Sequence, residues 1–329
     1  MVVARSWSGS VILWTFVFIL MLAGCTGGVE TQEVGPIVPH EDRWGIYQLD
    51  LDTEQVELIL RSKFEISTVR LNNEGDTLVF SQKLAGSTNE HYEVIILSLD
   101  DRRSQMLTKN DLWDLYPAWS PDGSQIAYLS WRESTLDIYV MDVDGSNQRL
   151  LYDSGFHDAD IDWVDGQIAF TSQGQIWIMQ EDNSNVRQLT HHPRAGEWGN
   201  ANLPFGDFDP RISLDGSRVL FSRMVDDRSQ HGNYDLYVVD IDGENLIRLT
   251  DTGYSQGLSN WSKAGDRILY IIAVVDDVGQ YDVYVMNSDG SGNHNLTPDS
   301  FPPSFVVRWA TFSHDDTSIY FVGEWWTEE

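Results

Sequence analysis

Apolar and polar residues alternate along most of this chain in short runs broken by Gly, Asp and Asn, and one such run keeps returning. The segment AWSPDGSQIAYLS (118–130) recurs as NWSKAGDRILYII, RISLDGSRVLFSR, TFSHDDTSIYFVG and RLNNEGDTLVFSQ, and in a form two residues shorter as DWVDGQIAFTS. Each copy sets a large apolar residue before the break (Leu71, Trp119, Trp163, Ile212, Trp261, Phe312) and an aromatic residue after it (Phe80, Tyr128, Phe170, Phe221, Tyr270, Phe321). Gly occupies the break in five copies (Gly75, Gly123, Gly166, Gly216, Gly265), and Asp316 stands there in the sixth. Period-two alternation marks a strand with one buried face, and Gly or Asp/Asn tolerates the positive φ that a tight hairpin requires. The unit therefore predicts two strands joined by a short turn. A third strand follows as DIYVM (137–141), QIWIM, DLYVV, DVYVM, EVIIL and GIYQL (45–49). A fourth reads QRLL, RQLT, IRLT, HNLT, QMLT and ELIL (57–60).

Four strands recurring every ~40–50 residues is the period of a propeller blade, a sheet that must stack on its neighbours to bury its faces. The count predicts an all-β, six-bladed β-propeller over residues 44–329. The pieces also come in a telling order. Trp44 opens a third and fourth strand, while the last copy supplies only a first and second, so the two halves are expected to pair in one closing blade. Such closure leaves no long open edge for another chain to pair with.

The stretch P-x-W-S-P-D-G-x-x-I-A (Pro117, Trp119, Ser120, Pro121, Asp122, Gly123, Ile126, Ala127) resembles the WD40-like (PD40) repeats of the TolB propeller family. The resemblance covers about residues 44–326. It implies a periplasmic propeller with a protein partner, which for TolB proteins is the peptidoglycan-associated lipoprotein. Those proteins place a separate α/β domain before the propeller, where this chain has only a short segment.

That segment has its own signals. Arg5 precedes the apolar run VILWTFVFILMLAG (11–24), shorter than the ~20 residues of a membrane-spanning helix and shaped like a signal peptide. Leu22, Ala23, Gly24 and Cys25 resemble the lipobox of bacterial lipoproteins, and Cys25 is the chain's one cysteine. Residues 1–24 are thus expected as a leader and residues 25–43, rich in Gly, Pro and Glu, as a lipidated Cys25 and flexible tether. Several acyl chains on Cys25 would hold the protein stably to a membrane, at the periplasmic face of the outer membrane or at the cell surface. The balance of 21 Lys and Arg against 51 Asp and Glu, net −30, excludes nucleic acid, whose affinity comes from clustered basic side chains. Loss of Arg5 with the leader makes it −31, from 20 basic minus 51 acidic residues.

Three motifs invite a chemical reading. Gly253–Gly257 spell G-x-S-x-G around Ser255, the nucleophile elbow of serine hydrolases, but that motif needs a strand running into a helix. Here it joins a fourth strand to the next first strand, so a plain connecting loop is expected. DVDGSN (142–147), DIDGEN (240–245) and NSDG (287–290) lack the ligand spacing of a calcium loop and read as Asp-Gly hairpin turns. His157, His191 and His192, beside Asp158 and Asp160, stand on adjacent blade connections. Converging on a channel metal they would favour an enzyme, such as a carbohydrate lyase of the kind built on related propellers. Splayed apart they favour binding.

The binding reading rests on aromatic residues in loops that emerge on one face. In a propeller the fourth-to-first and second-to-third loops share a face, and here they are the long ones. Trp113, Tyr116, Phe156, His157, His192, Trp198, Phe205, Phe208, Tyr254 and Phe305 are the candidate contacts, rimmed by carboxylates of loops 223–234 and 273–281. Aromatic anchors inside a polar rim characterise protein-binding surfaces. The expectation is a monomeric, lipid-anchored protein that binds a protein or envelope component, with no cofactor and no metal.

Overall fold

The computed structural model describes residues 42–325 except 86–89, 202, 229–231, 274–280 and 303. The expected leader, Cys25 and the expected tether up to residue 41 lie outside the described residues, as does most of loop 273–281. Among the described residues twenty-four strands form six four-stranded antiparallel sheets. Blade 1 spans 66–106, blade 2 114–152, blade 3 158–188, blade 4 207–248 and blade 5 255–295. Blade 6 is composite: Phe305–Phe312 and Ser318–Trp325 supply its first two strands, Trp44–Asp50 and Val56–Ser62 its outer two. The expected closing blade is thus observed, in register from Trp44 opposite Glu324 to Asp50 opposite Ser318. Glu324 ties the seam further, meeting Arg43 at 2.9 Å and Arg308 at 2.7 Å.

The repeated residues have repeated jobs. The six aromatics that follow the break are at most 2% exposed, each burying a ring worth ~1.5–3 kcal/mol between neighbouring sheets. The Asp of the first hairpin caps its own turn: Asp122 Oδ1 accepts Ser120 Oγ at 2.7 Å and the Ser124 amide at 3.0 Å. Asp215 and Asp315 repeat the arrangement. In the shortened copy Asp165 (φ 50°) and Gly166 (φ 70°) are both left-handed, as a two-residue hairpin turn demands. The Thr of the recurrent Leu-Thr pair holds the fourth strand to the third. Thr108, Thr190, Thr250 and Thr297 accept the amides of Val94, Ile176, Leu236 and Val283 at 2.9, 3.0, 2.9 and 2.9 Å.

The suspected calcium loops are turns that consume their own carboxylates. Asp142 accepts Asn147 Nδ2 at 2.6 Å and Asp144 the Ser146 amide at 2.8 Å. Ser255 opens the inner strand Ser255–Trp261, is 7% exposed, and no helix follows it among the described residues.

Candidate functional site

Exposure divides the candidate aromatics. Four aromatic side chains stand exposed among the described residues: Phe64 (41%), Phe156 (50%), Trp198 (64%) and Tyr254 (48%). All four lie in fourth-to-first loops, and the last three occupy consecutive blade junctions, from blade 2 to blade 5. The exposed aliphatic residues fall elsewhere, Leu150, Leu246 and Ile247 on outer strands or beside them and Val143 and Leu214 in hairpin turns. Phe64, in the short connection from blade 6 to blade 1, escaped notice because a three-residue loop carries no compositional signal.

Phe205, Phe305 and His192 correct the expectation of a binding role, since all three are interior. Phe305 is 6% exposed and packs edge-on against Tyr47 and Phe301 and beside Trp325, inside the closing blade's core. Phe205 (1%) and His192 (8%) form the base of the connection from blade 3 to blade 4. His192 Nδ1 accepts the Arg194 amide at 3.0 Å, so its Nε2–H donates to Met224 O at 3.1 Å, and burial lowers its pKa. The Arg194 guanidinium lies 3.6 Å over the Phe205 ring and bonds Glu197 at 2.8 Å. Backbone bonds link Gly196 N to Phe205 O and Phe205 N to Glu197 O, each at 2.9 Å. Asp227, from the neighbouring second-to-third loop, accepts the Asn200 amide at 2.9 Å. Trp198 is therefore held out by a loop that is itself tied down. Trp113 and Phe208 are half-buried, Trp113 edge-on between Tyr92 and Trp131 and Phe208 edge-on to Tyr234.

The histidines do not converge. His157 sits against Trp131, ring centroids 4.9 Å apart, and its Nδ1 accepts the Leu136 amide at 3.1 Å, while both His192 nitrogens are taken as described. Among the described residues no group of three His, Cys, Asp or Glu side chains is placed to hold a metal ion. Asp158 instead accepts Ser154 Oγ at 2.7 Å, and burial pushes its carboxyl up to about 7.

The channel holds what was not foreseen. Counting back three residues from the large apolar residue of each first strand gives a ring of Thr68, Tyr116, Asp160, Asp209, Leu258 and Trp309. In blades 1 to 5 the inner-strand pairing skips this residue, whereas Trp309 of blade 6 stays paired opposite Val322, and Tyr116, Asp160, Asp209 and Leu258 take left-handed φ of 52–55°. Such a conformation costs non-glycine residues of order 1 kcal/mol or more and turns the bulged side chain off the pleat. Counting back one gives Arg70, Ala118, Asp162, Arg211, Asn260 and Thr311. Arg70 of blade 1 passes blade 2, where this ring has only Ala118, and donates from Nη1 to Asp162 Oδ1 of blade 3 at 2.5 Å and from Nη2 to Ile161 O at 2.6 Å. Arg211 of blade 4 lies 5.1 Å over the Trp309 ring of blade 6. Burial and the Asp160 charge raise Asp209 to about 7, and burial likewise raises Asp160. Tyr116, expected on the outer face, points its phenol at these two acids and is pushed well above its usual value by burial and by them.

A family model described as the TolB beta propeller domain matches residues 37–205, just over half of the chain. The chain belongs to the TolB β-propeller domain family. An uncharacterized protein of Agrobacterium fabrum is 33% identical over 176 residues, covering 51% of this TolB-type chain and 57% of that protein. A Tol-Pal system protein TolB of Desulfosudis oleivorans is 28% identical over 113 residues, 32% of this chain and 24% of its own length. The chain thus spans little more than half of the first relative and a quarter of the second. Of solved structures, a putative TolB from Agrobacterium tumefaciens matches with a TM-score of 0.67 at 19% identity, over 87% of this chain and 99% of that one. TolB from Acinetobacter baumannii matches at 0.58 and 17%, over 78% and 64%. At these identities the structural likeness to TolB is one of fold.

Proposed function

We propose that this protein is a cell-envelope recognition module that binds a protein partner through its loop-rich face and is tethered to the membrane by lipid on Cys25. The observation that carries the binding half is the segregation of exposed aromatics. Phe64, Phe156, Trp198 and Tyr254 share the loop-rich face, while the exposed aliphatics are scattered over strand edges and turns. Isolated apolar residues need no explanation, but large aromatics held out by braced loops lose little conformational freedom on binding and make efficient anchors. Family membership and relatives named for the Tol-Pal system support an envelope partner. The lipobox-like sequence before Cys25 supports the tether.

The test is in-cell crosslinking of the full-length chain against a variant with Phe156, Trp198 and Tyr254 all changed to Ala. A control variant carries Leu150, Leu246 and Ile247 changed to Ser. Loss of one crosslinked species in the first variant and its retention in the control is the expected result. Equal capture by all three proteins sinks the reading of this face. Cys25→Ser should move the protein from the membrane to the soluble fraction, and continued membrane association without incorporated palmitate would refute the tether.

A further inference from the structure

The two channel arginines are unequally satisfied. Arg70 spends both terminal nitrogens on blade 3, leaving only its Nε without an acceptor among the described residues. Arg211 is 2% exposed, and its Nη1 donates to Pro210 O at 2.6 Å. Its Nε and Nη2 have no acceptor among the described residues. Those two nitrogens form the side-on edge of the guanidinium, the fork whose parallel N–H bonds match the two oxygens of a carboxylate. Trp309, 3% exposed beneath the same guanidinium, has an Nε1–H in the same condition. A buried donor without an acceptor costs ~1–3 kcal/mol, more when the group is charged. Two such donors on Arg211 of blade 4, with a third on Trp309 of blade 6 whose ring lies 5.1 Å from that guanidinium, suit a small ligand that only accepts hydrogen bonds, and the guanidinium charge favours a negative one.

We propose that the channel of this propeller binds a carboxylate, bidentate on the Nε and Nη2 edge of Arg211 with Trp309 Nε1–H as a third donor. The groups facing this position set its charge balance. Arg70 is neutralised by Asp162, and Arg211 faces Asp160 and Asp209, with the phenols of Tyr116 and Tyr234 beside those two acids. Asp160 does not fill the fork, whose Nε and Nη2 have no acceptor among the described residues, and its Oδ2 accepts the Asp209 amide at 3.3 Å. A further anion is therefore accommodated by uptake of one proton on the Asp160–Asp209 pair. Binding should weaken as pH rises through about 7, the value to which Asp209 is pushed, by at most about tenfold per pH unit for one proton.

The carboxylate can be a free small anion or the side chain of a partner, and one experiment separates them. The purified full chain is titrated with formate, with acetate and with a capped glutamate peptide at constant ionic strength in chloride. Calorimetry and thermal unfolding are followed at pH 6 and pH 8. We expect saturable binding of at least one probe, tighter at pH 6, weakened at least tenfold by Arg211→Lys, which keeps charge and loses the fork. Trp309→Phe, which keeps the ring and loses the donor, should weaken it severalfold. Saturation by formate or acetate alone identifies a free anion, and saturation by the peptide a partner's side chain. No saturable binding of any probe to the wild-type chain overturns the proposal, as does binding unchanged in both folded variants. If Arg211→Lys does not fold, Trp309→Phe decides alone.

Discussion

Phe205 and Trp198 lie seven residues apart in one loop, and their substitution by Ala should have opposite consequences. Phe205 is 1% exposed and packs with Ala201, Met224 and Tyr234. Truncating a buried Phe costs ~3–5 kcal/mol from lost transfer energy and the cavity left behind. The cation–π contact with Arg194 at 3.6 Å adds ~0.5 kcal/mol, the low end because Arg194 is half in water. A loop can partly collapse into the gap, so about 3 kcal/mol is expected for Phe205→Ala. Trp198 is 64% exposed, and Trp198→Ala should fall within ~0.5 kcal/mol of wild type. Guanidinium unfolding followed by circular dichroism measures both, and limited proteolysis reports whether residues 191–206 have come loose. The two effects also part in function. Trp198→Ala should lose the partner with stability intact, whereas Phe205→Ala should lose both. A cost below 1 kcal/mol for Phe205→Ala, or above 1.5 kcal/mol for Trp198→Ala, refutes the assignment of one ring to the base and the other to the surface.

Two further outcomes follow from the buried charges. Asp162→Ala strips Arg70 of its carboxylate and leaves the Ile212 amide, which donates to Asp162 at 2.8 Å, without an acceptor. The cost should be ~3–5 kcal/mol in chemical denaturation, against clearly less for Arg70→Met with Asp162→Leu, because breaking a buried pair strands a charge and replacing it does not. A double variant as unstable as the single one would show that the cross-channel pair is not what the single change damages. Glu65, Asp158 and Asp209 are each raised by burial to about 7, above the value an unfolded chain gives them. A raised acid contributes fully below its unfolded pKa and loses that contribution as pH climbs through the folded one, so stability should decline between about pH 4 and 8. Asp158→Asn should flatten the decline, and a melting temperature that rises over this range instead would contradict it.

Much of the fold was legible because its signals are local. The repeat, the hairpin Asp-Gly turns, the Leu-Thr pair and the order of strands that predicts the closing blade are all short-range patterns. Each corresponds to a bond or a φ angle within one blade, or to simple counting. The loop aromatics were legible as a set and not as individuals. Phe205 and Trp198 share one Gly- and Pro-containing stretch, and nothing near either says that one meets the Arg194 guanidinium and Met224 while the other meets water. His192 looked like a site residue for the same reason, since a histidine's role depends on what its two nitrogens find. The channel charges left a signal that counting would have exposed. Arg70, Asp162 and Arg211 stand one residue before the large apolar residue of a first strand, at the same place in three repeats.

By itself, then, the sequence determined the periodicity, the strands, the turns, the blade number and the acidic character of the chain, since each is set by neighbours in the chain or by composition. Only the tertiary structure decided which aromatics are exposed and which charges meet. Arg70 finds Asp162 92 positions away. Arg211 lies over Trp309 from two blades off, because ring closure, and not proximity in sequence, brings the inner strands to a common axis.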